Sequence, residues 1–274
     1  MTGLDLRPLS LGEILDRTFT LYRRNFLLFM GIAAIPAILQ LAVNLSLLFF
    51  RGSQATNFTT LILGGLVTLV VFMVAYLISQ GATIFAVTDL YLGRDTSIGK
   101  ALDRVWGNIP NLFGVTLLNG MAVLVAALAL VIPGIYVACR LLVCVPAALI
   151  EDRGPRDSLS RSWELTRDFA GRAFVIFLLV FALSAGLGAL LSAPFSVLTV
   201  LAINNNPEMV RTWTALSQVG STIANLLMTP IMLIATSVYY FDLRVRKEGF
   251  DLQFMLDPTS EGHTRSQGSI PSIL

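Results

Sequence analysis

Long apolar segments constrain this chain more than any other feature. A helix needs about 20 apolar residues to cross the roughly 30 Å hydrocarbon core of a bilayer. Six segments approach or exceed that length, at residues 26–50, 61–87, 112–132, 135–150, 173–203 and 222–241. Charged residues make up only 13% of the chain, about half of what a soluble domain carries. The sequence therefore predicts an all-α fold, a polytopic transmembrane helical bundle arranged as three hairpins.

The apolar stretch from 112 to 150 has two interpretations. It is too long for one helix, and Pro133-Gly134 interrupts it with a pair typical of turns. We therefore predict a hairpin that turns at this pair. The alternative is a re-entrant hairpin with only four complete spans elsewhere, because the second arm is short and carries Arg140.

Basic residues favour the six-span topology and predict its orientation. Sixteen of the 19 Lys and Arg residues fall in the N-terminal segment, the second and fourth loops and the C-terminal tail. Only Arg51 and Arg211 fall on the other side. Cytoplasmic loops carry the excess of positive charge, so we expect a multi-pass protein of a prokaryotic cytoplasmic membrane with both termini inside. A re-entrant hairpin would leave this orientation unchanged.

A repeated segment precedes the first, third and fifth spans. Residues 10–19 read SLGEILDRTF, 97–106 read SIGKALDRVW and 154–163 read GPRDSLSRSW, sharing the pattern Leu-x-Arg-x-aromatic. Apolar residues at helical spacing predict an amphipathic helix in each copy. Ser10 and Glu13 have the spacing of a capping box, and Pro155 suits a first helical turn.

These helices have two compatible interpretations. They lie in the membrane interface with apolar groups among acyl chains, or they cap the ends of the bundle. In the first interpretation Arg17, Arg104 and Arg161 contact lipid headgroups, and membrane lipids are the expected partners. Protein partners and the oligomeric state stay open.

Arg140 is the candidate polar site inside the membrane. A central Arg costs about 2.5–3.5 kcal/mol on insertion scales, which makes it a functional candidate. Because it follows the expected turn closely, we interpret it as snorkelling outward to the headgroups; a bound phosphate or carboxylate is the alternative. We expect the intramembrane amides to bond across helices, and the prolines to serve packing rather than gating. The amides are Gln40, Asn44, Gln80, Asn119 and Asn225, and the prolines Pro36, Pro133, Pro146, Pro194 and Pro230.

Motifs for catalysis are missing from the sequence. It contains no HExxH, no phosphate-binding glycine loop and no G-x-S-x-G. The single histidine, His263, lies in a polar tail at 253–274 that we expect to be disordered. Cys139 and Cys144 lie in an apolar run, as packing residues do. We therefore expect no enzyme activity, no metal, no cofactor and no nucleic acid partner.

Three stretches resemble a prokaryotic family named for the membrane domain of glycerophosphoryl diester phosphodiesterases. They are LRPLSLGEILDRTFTLYRRNF at 6–26, IPGIYVACRLLVCVPAALIEDRGPRDSLSRSWELTR at 132–167 and YYFDLRVRKEGFD at 239–251. The resemblance implies a membrane domain that precedes a soluble phosphodiesterase barrel in some members and stands alone, without assigned activity, in others. With about 30 residues after the last span, this chain is expected to be of the second kind, so no catalytic residue is carried over.

Two functions follow as expectations. The first is a non-enzymatic membrane module, with 1–252 as one integral membrane domain, that organises lipids or partner proteins. The alternative is a transporter or exporter of an amphipathic solute. A polar cavity between hairpins favours the transporter, whereas a solid apolar core favours the module.

Overall fold

Helices make up nearly all of the structure, a computed structural model that describes residues 8–50 and 58–248. Within those ranges there is no strand, which confirms the all-α prediction. Six helical segments are long and apolar enough to cross a membrane. The helices are α1 (Leu11–Arg24), α2 (Phe26–Phe50), α3 (Phe58–Tyr91), α4 (Ile98–Trp106), α5 (Ile109–Ala129), α6 (Val131–Arg140), α7 (Cys144–Ile150), α8 (Pro155–Leu165), α9 (Ala170–Asn205) and α10 (Pro207–Glu248).

The short helices α1, α4 and α8 are the three repeated segments, and each precedes a membrane hairpin. Ser10 accepts a hydrogen bond from the Glu13 backbone while Glu13 bonds back to the Ser10 backbone, which is the predicted capping box. Ser97 caps α4 in the same way from its side chain, and Pro155 occupies the first turn of α8. Side-chain caps therefore set where α1 and α4 begin, whereas α8 begins at a proline without a side-chain cap.

The second hairpin turns three residues earlier than predicted. Leu130 is extended, and Pro133 lies within the first turn of α6, where a missing N–H costs nothing. Gly134 instead serves packing, since a Cβ there would lie 2.7 Å from the Cβ of Ala127 in α5. The second arm is also not one helix, because a turn at 141–143 separates α6 from α7.

The third hairpin is longer than predicted. The apolar stretch 222–241 lies inside α10, which begins at Pro207. The first turns of α10 are polar but pack along α9. The Ser196 and Ser217 hydroxyls are 2.8 Å apart, and Phe195 stacks on Trp213. A hydropathy pattern detects only the apolar part of such a helix.

The core occupies one end of the bundle, which we call the capped end because α1, α4 and α8 lie there. Phe29, Ile84, Val143, Ile176 and Tyr240 are among its fully or nearly fully buried side chains. At the opposite end, the open end, α3, α5 and α9 present mostly exposed apolar side chains, among them Val67, Leu124, Leu128, Leu190 and Leu201. Exposed apolar faces of this extent belong against lipid. The hairpins thus pack together at the capped end and leave crevices toward the open end.

Arg51 and the tail 253–274 lie outside the described residues, so their predicted places stay predictions.

Candidate functional site

An ion network around Glu151 joins α7, α8 and α10 at the capped end. Glu151 accepts from Arg161 Nε at 2.9 Å and from the Tyr240 hydroxyl at 2.8 Å. Arg161 also pairs with Glu248, which Arg244 contacts at 3.0 Å. Burial alone would raise the pKa of the Glu151 carboxyl, but hydrogen bonds from Tyr240 and Arg161 outweigh burial and hold that pKa below its usual range.

A second charged cluster, around Asp242, holds the backbone of Leu9 against α10. The Asp242 carboxylate is fully buried and accepts from the Leu9 backbone N–H at 2.7 Å and from Arg246 Nε at 2.9 Å. Arg172 lies 3.5 Å from the same carboxylate and donates to the Leu9 carbonyl at 2.6 Å. Charge-assisted bonds of this kind are about twice as strong as neutral ones. They fix the start of α1 against α9 and α10.

The three arginines predicted to meet headgroups all contact the bundle itself. Arg17 donates to the Tyr91 hydroxyl at 3.2 Å. Arg104 pairs with Asp89 at 3.1 Å and lies 4.5 Å above the Phe85 ring, although half of its side chain is exposed. Arg161 is largely enclosed in the Glu151 network. The headgroup role of these arginines stays a prediction, and their observed contacts are with protein.

The aromatic residues of the repeat face outward instead. Phe19 is 40% exposed, and Trp106 and Trp163 are 68% and 41% exposed. The buried positions of α1 are Ile14 and Thr18, and those of α4 are Ala101 and Val105. Each repeated helix therefore packs on the bundle and presents an aromatic ring outward, and its place in the membrane interface stays a prediction.

A surface groove of about 460 Å³ lies where α1 meets α2. Its lining combines three aromatic rings with charges of both signs: Asp16, Phe19, Thr20, Tyr22, Arg23 and Phe26. None of the described residues forms an ion pair with Asp16 or Arg23. Sequence reasoning missed this groove, although the spacing of Asp16, Phe19 and Arg23 on one face of α1 could have indicated it.

Arg140 does not reach outward toward the turn as predicted. Its side chain is buried and donates to the Trp163 carbonyl at 2.6 Å. The guanidinium lies 4.5 Å above the Trp163 ring, and the Arg140 carbonyl accepts from the hydroxyls of Ser162 and Thr166 at 2.9 and 2.8 Å. The cause is the break after α6, which brings Arg140 beside α8. Its interactions are those of a cross-helix clamp.

Polar groups inside the spans are paired in part. Gln40 donates to Asn44 at 2.9 Å, and Asn44 donates to Gln218 of α10 at 3.2 Å, so one amide chain crosses helices as expected. Ser79 donates to the Ile32 carbonyl at 3.2 Å. This carbonyl receives no backbone hydrogen bond from Pro36, because proline has no N–H. Gln80 Oε1 and Asn119 Oδ1, by contrast, are buried and have no hydrogen-bond partner among the described residues.

A half-open crevice of about 280 Å³ lies between α2, α3 and α10. Its polar lining residues come from all three helices: Gln40, Tyr76, Thr222, Asn225 and Thr229. The remaining lining is apolar, including Phe72 and Leu226. Sequence reasoning named two of these amides but could not bring them together, because their convergence depends on how the helices pack.

Among the described residues, no group of three or more His, Cys, Asp or Glu side chains could hold a metal ion. Comparisons with family models, with curated proteins and with solved structures find no match to this chain. The helices thus define the class of this protein, which is a multi-pass membrane protein built as an all-α bundle.

Proposed function

We propose that this chain is a non-enzymatic module of a prokaryotic cytoplasmic membrane that organises lipids at its capped, cytoplasmic face. The observation that carries the proposal is the groove at the α1–α2 junction, where Arg23 lies among Phe19, Tyr22 and Phe26. Aromatic rings favour the membrane interface. Each basic group near an anionic surface contributes about 1 kcal/mol.

The fixed position of α1 supports lipid binding at this groove. The capping box and the Asp242 cluster hold the start of the helix. The exposed side chain of Leu27 follows directly in α2, which places Arg23 and Arg24 one turn outside the apolar span. A rigid helix that presents arginine and aromatic groups at headgroup depth can hold one lipid in a defined place.

The resemblance to the membrane domain of glycerophosphoryl diester phosphodiesterases accords with this proposal. In that family the membrane part occurs with and without a soluble catalytic barrel. The clusters of acids in the described part of this chain are joined to arginines, as around Glu151 and Asp242, so they serve structure rather than proton transfer to a substrate. We therefore assign no reaction to this chain.

Native mass spectrometry of the purified protein tests the lipid proposal. Arg23→Gln with Arg24→Gln should lower retention of phosphatidylglycerol, but not of phosphatidylethanolamine with the same acyl chains, by about thirtyfold for two lost cationic contacts. Arg211→Gln, which removes an exposed charge near the opposite end, is the matched control. Equal phosphatidylglycerol retention in the double variant and the wild type would exclude the groove as a headgroup site.

A transporter of an amphipathic solute is the second candidate, favoured by the crevice between α2, α3 and α10. Polar groups that line a crevice at membrane depth are typical of substrate pathways. Proteoliposomes that scramble a fluorescent lipid faster than protein-free vesicles, and lose that activity with Asn225→Leu, would support transport. Scrambling at the protein-free rate would leave lipid organisation as the function.

A further inference from the structure

Several polar groups of the crevice have no hydrogen-bond partner among the described residues, although the Thr222 hydroxyl donates to the Gln218 carbonyl at 2.8 Å. No described residue forms a hydrogen bond with the Asn225 amide, the Thr229 hydroxyl or the Tyr76 hydroxyl, and Gln40 uses only its amide nitrogen, toward Asn44. Asn225 is also exposed in the bundle. In hydrocarbon an unsatisfied polar group costs several kcal/mol, so this cluster needs polar atoms from another molecule.

Pro230 leaves a further polar group of the crevice, the Leu226 carbonyl, without its helical hydrogen bond. It has no N–H to donate to the carbonyl of Leu226, which belongs to the crevice lining. At Pro36 the corresponding carbonyl receives a hydrogen bond from Ser79. Among the described residues, no side chain does the same for Leu226.

The depth of the crevice limits what can supply those atoms. At 1.5 Å per residue, Gln40 lies about 21 Å along α2 from Phe26, and Asn225 lies about 26 Å along α10 from Asp242. The hydrocarbon core is about 30 Å thick. The amides therefore lie in the open-end half of the core, about 4–9 Å inside its boundary, so a lipid of that leaflet that enters the crevice brings its glycerol region to them.

We propose that the crevice binds the uncharged glycerol region of a glycerolipid from the open-end leaflet. Asn225, Tyr76, Thr229 and the Gln40 oxygen supply both donors and acceptors, which match hydroxyl and ester groups. No lining residue carries a charge, so a phosphate or carboxylate at this depth would be buried without a counter-ion. The site is separate from the α1–α2 groove and does not depend on it.

A neighbouring crevice accommodates the lipid's hydrocarbon. It lies between α3, α9 and α10, encloses about 230 Å³, and shares Tyr76 and Thr229 with the polar crevice. Its other walls are almost entirely apolar, with Phe177, Phe181 and Met232 among them. Polar groups beside an apolar channel are the arrangement that a lipid with an uncharged neck requires.

The test is a native mass-spectrometric titration of the full chain in detergent with dioleoylglycerol. Tyr76→Phe removes one hydroxyl and should weaken binding about fivefold, as expected for one neutral hydrogen bond. Asn225→Leu removes a donor and an acceptor and should weaken it further. Asn119→Leu, which removes a membrane amide outside the crevice, is the matched control and should stay within about twofold of wild type.

The outcomes separate this site from the alternatives. Wild-type affinity in both crevice variants, or an equal loss in Asn119→Leu, would overturn the proposal. Unchanged lipid binding with a dimer that Asn225→Leu dissociates would also overturn it, because Asn225 would then contact a second copy. If Asn225→Leu does not fold, Tyr76→Phe still decides.

A second titration with dioleoyl phosphatidylglycerol distinguishes the source of the ligand. Equal, crevice-dependent affinity for both lipids supports recognition of the shared glycerol esters. Tighter binding of dioleoylglycerol supports recognition of its free hydroxyl as well. Both titrations are therefore repeated in the Arg23→Gln, Arg24→Gln variant, so that phosphatidylglycerol bound at the α1–α2 groove does not contribute and the result does not depend on that groove.

Discussion

Three acidic residues hold the repeated helices in place, each where a membrane hairpin ends. Asp89 at the end of α3 pairs with Arg104 of α4, and Glu151 after α7 pairs with Arg161 of α8. Asp242 near the end of α10 binds the backbone N–H of Leu9, just before α1. Each hairpin thus ends in an acid that holds a repeated helix of another unit, and in two of the three copies the partner of that acid is the repeat arginine, Arg104 or Arg161.

The Glu151 network predicts a loss of stability in acid. The folded-state pKa of Glu151 lies below its usual 4.5. A depressed carboxyl pKa stabilises the fold above the unfolded value, and this contribution is lost as the pH falls through the folded value. The melting temperature in detergent should therefore drop as the pH falls below about 4.5. In Glu151→Gln it should be lower at neutral pH and change less over the same range. An identical acid profile in this variant would contradict the assignment.

Arg140 predicts a different response to substitution. Arg140→Lys retains the charge but loses the flat stacking on Trp163, and an ammonium replaces a planar guanidinium poorly at such sites. We expect a loss of about 1–2 kcal/mol of stability, together with a shift in Trp163 fluorescence. Lys100→Arg in exposed α4 is the control and should change neither. Wild-type stability and emission in Arg140→Lys would show that the clamp contributes little.

At this scale the sequence indicated which residue types matter but not their partners. The cost of a buried Arg identified Arg140 as unusual. Its closeness to the expected turn, however, predicted a side chain that reaches outward, whereas it contacts Trp163 of α8. The three repeat arginines were found by pattern, but their partners were not. Asp89 and Glu151 belong to the preceding unit, 15 and 10 positions from Arg104 and Arg161. Tyr91 lies 74 positions from Arg17. Long-range pairing is set by packing, which periodicity does not report.

The elements themselves were more predictable than their ends. Length and hydropathy identified all six membrane segments, the capping box identified the start of α1, and Pro155 identified the start of α8. The turn between α5 and α6 was misplaced because Pro133-Gly134 suits both a turn and the first turn of a helix. The start of α10 was missed because its polar turns are stabilised by contacts with α9 rather than by hydrocarbon.

Gly134 predicts how closely α5 and α6 can approach. A Cβ at this position would meet the Ala127 Cβ at 2.7 Å and its Cα at 2.8 Å. Because one of these atoms is backbone, Gly134→Ala should force the two helices apart and destabilise the protein by about 1–3 kcal/mol. Gly120→Ala, in α5 with open space around it, should be neutral or slightly stabilising. The difference between the melting temperatures of the two variants measures the effect of the contact between α5 and α6. Equal melting temperatures would contradict the close approach of these helices at Gly134.

Across the whole molecule, packing is concentrated at the capped end, and the open end separates into hairpins with crevices between them. The core there includes Phe29, Ile84 and Tyr240, whereas Leu124 and Leu190 at the open end are exposed. This asymmetry puts the charged clusters and repeated helices on one side and the uncharged polar crevice toward the other. From the sequence, a solid apolar core and a polar cavity between hairpins were both considered. The structure has the core at the capped end and the polar crevice toward the open end.

The orientation of this asymmetric bundle, and whether the second hairpin crosses, can be tested together. α5 spans 21 residues, about 31 Å at 1.5 Å per residue, so a crossing hairpin brings Leu130 to the outer surface. With Cys139 and Cys144 replaced by Ala, Leu130→Cys and Asn206→Cys should react with an impermeant maleimide on intact cells.

Cysteines at the repeated helices should not be labelled on intact cells. Ser97→Cys and Ser160→Cys should react only after permeabilisation, because the excess of basic residues predicts that this side is cytoplasmic. Ser160 is preferred to Ser158, whose hydroxyl is buried and bonded to the Gly154 carbonyl. Outside labelling of Ser160→Cys would invert the proposed orientation. Protection of Leu130→Cys on intact cells, with Asn206→Cys still labelled, would show that the hairpin re-enters and that four spans cross completely. Labelling of both would establish six.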